Sequence, residues 1–242
     1  MAEVRVLKDV EAVARAAAKT AIAELQAAIR ANGSATWVLA GGTSPGAAYR
    51  VITQEYRNDV DWQHVRVLMG DERCVLSDNP DFNWRQASEV LLRHLDLSAA
   101  GRLEPKGGVS AEEAAEHYES LLERLPHNKH GRPRLDHVWL GVGEDGHTLS
   151  LFPNHPDAEP SQRLVVPVHN SPKPPPDRIS LTLRALEGAA SCLVLAAGAG
   201  KAEALRRALN SDSALPIAQA VKTVEDAGGR VTWLVDEAAA GK

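Results

Sequence analysis

The chain has 242 residues, of which 44% are apolar and 24% are charged, and its formal net charge is −5. These proportions are ordinary for a globular protein and exclude a disordered chain. The acidic balance predicts no nucleic-acid partner and no membrane partner. Two cysteines are too few for a disulfide framework. No apolar run approaches the roughly 18 residues of a membrane span, and early acidic residues argue against a signal peptide, so we expect a cytoplasmic protein.

Short β-branched runs alternate along the chain with loops and with amphipathic stretches of helical period. This alternation predicts a parallel sheet covered by helices. We therefore expect an α/β fold with a doubly wound, mostly parallel sheet flanked by helices, in which residues 1–242 form a single domain. The predicted strands are residues 4–7, 36–40, 65–69, 137–142, 164–168, 192–197 and 231–235. The predicted helices are residues 9–31, 45–56, 82–95, 111–125 and 200–209, and residues 127–134 and 171–177 are expected to be exposed connections.

Four loops follow predicted strands, and because ligands of open parallel sheets bind at the carboxyl ends of the strands, we expect these loops to converge. The first loop contains Gly41, Gly42 and Thr43. Glycine lets the backbone approach a ligand closely, and the free amides of the following helix could face a phosphate. A plain tight turn between strand and helix explains the same residues about equally well.

The second loop carries Asp71 and Arg73 directly after an apolar strand. An arginine at this place could hold a phosphate through two parallel hydrogen bonds. A helix cap or a local salt bridge is the competing interpretation of the Asp-Glu-Arg triplet. The fourth loop ends in Lys201, which could add a positive charge to a helix N-terminus or could be an ordinary solvated lysine.

The third loop, GVGEDGHT, has three glycines around two acids and a histidine, and it gives the sharpest signal of function. A neutral histidine can take a proton from water at neutral pH, so we predict that His147 is a general base. Asp145 could hold the imidazole in one tautomer or order the substrate. No His or Cys lies at metal-ligand spacing, so no metal is expected. A solvated turn remains the simpler alternative.

The glycines around Lys201 do not match the spacing of a phosphate-binding P-loop, since Ala202 follows the lysine. No G-x-G-x-x-G sequence opens the first strand-helix unit either. We therefore predict no organic cofactor.

Five motifs occur in order along the chain: GGTSPGAAY, GDERCV, GVGEDGHTLSLFP, SPKPPPDRISLT and GAGK. Together they resemble the 6-phosphogluconolactonase family. The resemblance implies a sugar-phosphate isomerase/deaminase-like, modified Rossmann fold, hydrolysis of 6-phospho-D-glucono-1,5-lactone in the oxidative pentose phosphate pathway, and no metal requirement. It also implies that Asp145 and His147 form the catalytic pair. The substrate and phosphate contacts that it implies are Gly41, Gly42, Thr43, Asp71, Arg73, Arg178 and Lys201.

Two other functions share this fold. Aminosugar-phosphate deaminase-isomerases of similar sequence place a glutamate five residues after the histidine, whereas this chain has Phe152, which transfers no proton. A sugar-phosphate sensor would leave the catalytic residues unexplained. The favoured interpretation is therefore a lactonase that acts on a small sugar-phosphate lactone, as a monomer or a weak homo-oligomer.

Overall fold

Seven parallel strands form the main sheet of the computed structural model, which describes residues 2–158 and 161–242. Their order across the sheet is β1-β10-β9-β6-β2-β3-β5, which confirms the predicted doubly wound, mostly parallel architecture. A separate antiparallel sheet has the order β4-β8-β7. The strands are β1 (Glu3–Leu7), β2 (Ala35–Leu39), β3 (Val65–Met69), β4 (Asp71–Arg73), β5 (Arg102–Leu103), β6 (His137–Gly141), β7 (Val165–Val168), β8 (Arg178–Leu181), β9 (Ser191–Ala196) and β10 (Arg230–Asp236).

Helices cover both faces of the main sheet. Successive strand residues point to opposite faces, so Trp37 packs with the cluster that contains α1, α2 and α3, while Val38 packs with the cluster that contains α4 to α7. The strands are buried on both faces, as is typical of parallel sheets. The helices are α1 (Val10–Asn32), α2 (Thr43–Val51), α3 (Asn83–Val90), α4 (Ala111–Glu123), α5 (Leu183–Leu186), α6 (Ala202–Leu209) and α7 (Pro216–Asp226).

The direction of winding reverses between β2 and β6. The chain runs from β2 outward to β3 and β5 and then returns to place β6 on the other side of β2. These two neighbours pair only at Trp37 with His137 and at Val38 with Val138. Strand β6 continues to Gly141 in register with β9, so the two strands at the reversal have no ladder between their carboxyl ends. A crevice at such a reversal is the usual ligand site of open α/β sheets.

Two buried tyrosines bind the backbone where strand pairing stops. The Tyr49 hydroxyl, on α2, accepts a hydrogen bond from the Ala40 amide (3.0 Å) and donates one to the Ala40 carbonyl (2.8 Å). On the opposite face, the Tyr118 hydroxyl of α4 does the same for Met69, at 2.7 and 2.9 Å. Burial raises the pKa of both phenols, so both stay neutral. The tyrosines thus fix the two strand ends that lead into the first two predicted site loops.

Several elements differ from the sequence-based expectation. The predicted strand at 164–168 forms, but it lies in the antiparallel sheet as β7. Strands β4, β5 and β8 and helices α5 and α7 were not predicted. The predicted helix at 45–56 ends in one π turn at Ile52–Tyr56, and the one at 82–95 ends in a 3-10 turn at Leu92–His94. In the described part of the chain, the helices are too short or too polar to cross a bilayer.

Removing the Tyr118 hydroxyl tests the role of these bonds. We expect Tyr118→Phe to lower the free energy of unfolding by about 1–3 kcal/mol, because the buried amide and carbonyl of Met69 lose their partner. The control is Tyr56→Phe, whose half-buried side chain has no hydrogen bond within the described residues, and which should change stability by no more than about 0.5 kcal/mol. Equal urea-unfolding midpoints for Tyr118→Phe and the wild type would contradict this assignment.

Candidate active site

A cleft of about 200 Å³ opens at the carboxyl ends of β2 and β6. All four predicted loops border it, which confirms that they converge: Gly41 and Gly42, Asp71 and Arg73, His147, and Lys201. Trp139 of β6 forms its floor. The indole of Trp139 lies parallel to the Tyr49 ring at 5.3 Å, and its Nε1 donates a hydrogen bond of 2.8 Å to His137. The floor is therefore held rigidly.

His147 and Asp145 form a close pair at the edge of the cleft. The distance from His147 Nδ1 to Asp145 Oδ1 is 2.6 Å. A carboxylate at this position fixes the tautomer that carries its proton on Nδ1. The other nitrogen, Nε2, has no hydrogen-bond partner in residues 2–158 or 161–242, and its lone pair is available as a base.

Glycines shape the loop that carries this pair. The Gly143 amide donates to the His147 carbonyl (2.8 Å), and the Gly146 amide donates to the Gly143 carbonyl (3.0 Å). A methyl group on Gly143 would lie 1.9 Å from His147 Nδ1, so only glycine leaves room for the ring. Gly146 has a φ of 83°, and a methyl group there would lie 2.7 Å from the Leu215 side chain, next to the start of α7.

Burial lowers the pKa of His147 below its ordinary value, against the hydrogen bond and charge of Asp145, which raise it. Phe152 contributes to this burial, because the centre of its ring lies 4.7 Å from the centre of the imidazole ring. For Asp145, burial would raise the pKa, but the hydrogen bond and charge of His147 outweigh it and hold the value low. At neutral pH the pair is therefore a carboxylate beside a neutral imidazole.

The glycine loop between β2 and α2 lies opposite the histidine. Helix α2 begins at Thr43, and Gly42 before it has a φ of 101°. A methyl group on Gly41 would lie 2.4 Å from Asn83 Oδ1, so the loop packs directly on α3. Thr43 lines an adjoining cavity of about 350 Å³ rather than the cleft itself. Asn83, which lines both cavities, was not predicted as a site residue.

The helix-cap interpretation of the Asp-Glu-Arg triplet holds for its middle residue. Glu72 is the helix cap: its carboxylate accepts hydrogen bonds from the amides of Arg73, Asn83 and Trp84, the last two at the start of α3. Burial raises the pKa of Glu72 to about 8, and the three amides oppose that shift. Asp71 and Arg73, on either side, face the cleft.

The side chains of Asp71 and Arg73 use only part of their hydrogen-bonding capacity on other protein groups. Asp71 Oδ2 accepts a hydrogen bond of 2.6 Å from Ser150 Oγ. Arg73 Nη1 donates to the Asp81 carbonyl at 2.6 Å, while its buried Nε has no partner among the described residues. The arginine thus keeps donors that a bound anion could use.

Arg178 lies at the cleft with most of its donors occupied. Its Nε donates to the Pro175 carbonyl, and its Nη2 donates to the carbonyls of Lys173 and Pro174. Its Cζ lies 5.6 Å from the centre of the Phe152 ring. The guanidinium therefore supports the loop at 171–177 and the ring beneath His147, in addition to lining the cleft.

Lys201 is the last residue of a short 3-10 turn, directly precedes α6 and lines the cleft. A second lysine was not predicted: Lys173 Nζ lies 3.8 Å from Asp145 Oδ1. The described residues contain no group of three or more His, Cys, Asp or Glu side chains arranged to hold a metal ion.

The chain is similar to known proteins over nearly its whole length. The sequence model of the family described as glucosamine-6-phosphate isomerases/6-phosphogluconolactonase matches residues 8–233. A 6-phosphogluconolactonase of Streptomyces coelicolor is 37% identical and aligns with 97% of this chain and 92% of its own. A 6-phosphogluconolactonase of Mycobacterium leprae is 35% identical and aligns with 100% of this chain and 98% of its own.

Solved structures show the same fold. A 6-phosphogluconolactonase from Leishmania guyanensis superposes with a TM-score of 0.86, at 26% identity, over 99% of this chain and 97% of its own. A monomeric glucosamine-6-phosphate deaminase has a TM-score of 0.79 at 22% identity, over 99% of both chains, which shows shared architecture alone. Because the family match and the aligned relatives extend over nearly the whole sequence, the chain belongs to the family of glucosamine-6-phosphate isomerases and 6-phosphogluconolactonases.

Proposed function

We propose that the chain hydrolyses 6-phospho-D-glucono-1,5-lactone to 6-phospho-D-gluconate, the second step of the oxidative pentose phosphate pathway. The observation that carries the proposal is the pair of His147 and Asp145, which presents a free imidazole nitrogen beside a cleft bordered by Arg73 and Lys201. The names of the curated relatives that align over nearly the full chain support the same reaction.

His147 begins the reaction as a general base. Its Nε2 takes a proton from a water molecule, and the water oxygen attacks the C1 carbonyl of the lactone. Asp145 holds Nδ1 and stabilises the imidazolium that forms. The carbonyl π electrons move to oxygen and give a tetrahedral intermediate with one negative charge, which cationic groups and loop amides can stabilise.

Collapse of the intermediate opens the ring. The bond between C1 and the ring oxygen breaks, and the leaving alkoxide takes the proton from His147 Nε2. The carboxylic acid then loses its own proton to solvent, which leaves 6-phosphogluconate and restores the neutral imidazole. Atoms and charge balance with one water consumed and one proton released, so the residues need to supply only a base and electrostatic stabilisation.

The start of α2, together with Arg73 and Lys201, suits the phosphate. The first amides of α2 have no acceptor within the helix and carry a partial positive charge. Lys201 and Arg73 add two formal positive charges at the same cleft. Gly41 and Gly42 carry no side chain that would keep a phosphate from this backbone.

Phe152 favours hydrolysis over the deaminase-isomerase alternative. Isomerisation of an aminosugar needs further proton transfers, whereas Phe152, which packs on the His147 ring and is 1% exposed, offers no titratable group. A sensor without activity would need neither a base nor its aspartate. The monomeric or weakly oligomeric state, the cytoplasmic location and the lack of a cofactor stay predictions from the sequence.

Two assays on one preparation test the proposal. Acid release from freshly made 6-phosphogluconolactone, followed by pH-stat, should exceed the spontaneous rate in proportion to enzyme concentration. Ammonia release from glucosamine 6-phosphate should stay at background. Lactone decay at the spontaneous rate would refute the proposed function. Rapid ammonia release would show that the site catalyses the deaminase reaction instead.

Removing the base should reduce turnover far more than binding. We expect His147→Ala to lower kcat by about 10²- to 10⁴-fold with near-normal affinity for 6-phosphogluconate. Gly143→Ala should give a similar loss, since its methyl group would displace the imidazole. The matched control is His64→Ala, which removes a histidine paired with Asp61 at 3.0 Å and located before β3, at the opposite end of the strand from the cleft. Wild-type kcat in His147→Ala would refute the base assignment.

A further inference from the structure

Lys173 is an exposed lysine on the loop between β7 and β8, and it reaches the catalytic pair from outside the cleft. Its Nζ lies 3.8 Å from Asp145 Oδ1, the same oxygen that accepts the hydrogen bond from His147. The lysine side chain is 45% exposed. Among the described residues this is the one ion pair recorded for its ammonium group. One carboxylate oxygen therefore lies between a cation and the imidazole.

The loop that carries Lys173 is held in place by many hydrogen bonds. Arg178 donates to three consecutive carbonyls, those of Lys173, Pro174 and Pro175, and the Ser171 amide donates to the Pro176 carbonyl at 2.9 Å. Ser171 Oγ also donates to the Lys173 carbonyl at 2.8 Å. The backbone at Lys173 is thus fixed, although its side chain is solvated.

A histidine braces the two ends of the same loop. His169 Nδ1 lies 3.1 Å from Asp177 Oδ1, and its Nε2 lies 2.9 Å from Glu112 Oε1 at the start of α4. The Cys74 amide, next to Arg73, donates to the Asp177 carbonyl at 2.9 Å. These bonds tie the loop to the main body at α4 and at β4. The backbone that carries Lys173 is therefore fixed relative to both elements.

We propose that Lys173 is a positioning residue, whose ammonium shares Asp145 Oδ1 with His147 and thereby keeps the imidazole neutral and its Nε2 free for the reaction. Lys173 does not line the cleft and does not touch the substrate in this role, because it acts through Asp145. The effect of Lys173 on catalysis rests on the proposed function.

The positive charge of Lys173 makes protonation of His147 less favourable. A positive charge next to the pair opposes protonation of His147 and withdraws electron density from the carboxylate that would stabilise the imidazolium. The charge on Lys173 lowers the pKa of His147 after the larger effect of burial. Removal of that charge must therefore raise it. The other charged groups around the ring are Asp145, Asp71, Arg73, Arg178 and Lys201.

Two measurements on three variants test the proposal. NMR titration of the His147 ring protons, without substrate, gives its pKa directly, and the acid limb of kcat/KM gives it in the working enzyme. Lys173→Met should raise the midpoint by about 0.3–1 pH unit in both, and Lys173→Arg, which keeps the charge, should restore it. The matched control is Lys222→Met, which removes another exposed lysine paired with a carboxylate, Asp226, and should leave the midpoint unchanged. About 1 M salt should shrink the shift, because the pair is partly exposed.

The outcomes separate the two proposals. An unchanged His147 midpoint in Lys173→Met, or an Arg variant that behaves like the Met variant, overturns the role of Lys173 even if the lactonase activity is normal. A lower kcat at every pH with an unmoved midpoint also overturns it, since that pattern indicates loop support alone. A shifted NMR midpoint in a protein without lactonase activity supports the electrostatic coupling and refutes the proposed function instead.

Discussion

The loss of hydrogen-bond pairing between β2 and β6 after Val38 and Val138 is the constraint on which the site depends. These strands are adjacent in the sheet because the winding reverses there, and their separation creates a cleft with Trp139 as its floor. Backbone groups that lose a ladder partner in a buried place are costly, and Tyr49 and Tyr118 satisfy two such strand ends from opposite faces. The cleft is therefore a local break in strand pairing within an otherwise paired sheet.

The chemistry of the cleft follows from a division between apolar and charged walls. Phe152 packs on one side of His147 and removes water from it, which keeps the imidazole neutral, while Asp145 fixes its tautomer. Positive charge at the same cleft comes from Arg73 and Lys201, and helix α2 starts at Thr43 after the glycine loop. The cleft thus combines a neutral imidazole with positively charged side chains.

Much of this arrangement could be predicted from the sequence, because strands that end in glycine-rich loops must meet at one edge of a parallel sheet. His147, Asp145 and the four loops were found in that way. Helix α7 was missed although it begins with Pro216, a residue that suits the first position of a helix. Strands β4 and β8 are too short and too dependent on each other to show a period of two. Glu72 as a remote cap of α3 and Asn83 against Gly41 arise from tertiary contacts, which have no local pattern.

Lys173 shows the same limit more clearly, since no role was predicted for this residue: its segment was predicted to be an exposed connection and is part of a family motif, and the side chain is exposed. What the sequence does not encode locally is that Arg178 folds this loop back towards Asp145. Residues of this kind are identified from interatomic distances and from their charge once the fold is known.

In the proposed reaction, His147 addresses the lactone carbonyl while the amides of α2 and Lys201 hold the phosphate. A crystal structure with bound 6-phosphogluconate tests it most directly. We expect the product carboxylate to lie within about 3–4 Å of His147 Nε2 and the phosphate to contact the Gly42–Thr43 turn and Lys201. A product that lies with its phosphate at His147, or that fills the adjoining cavity near Arg50 without touching His147, would contradict it.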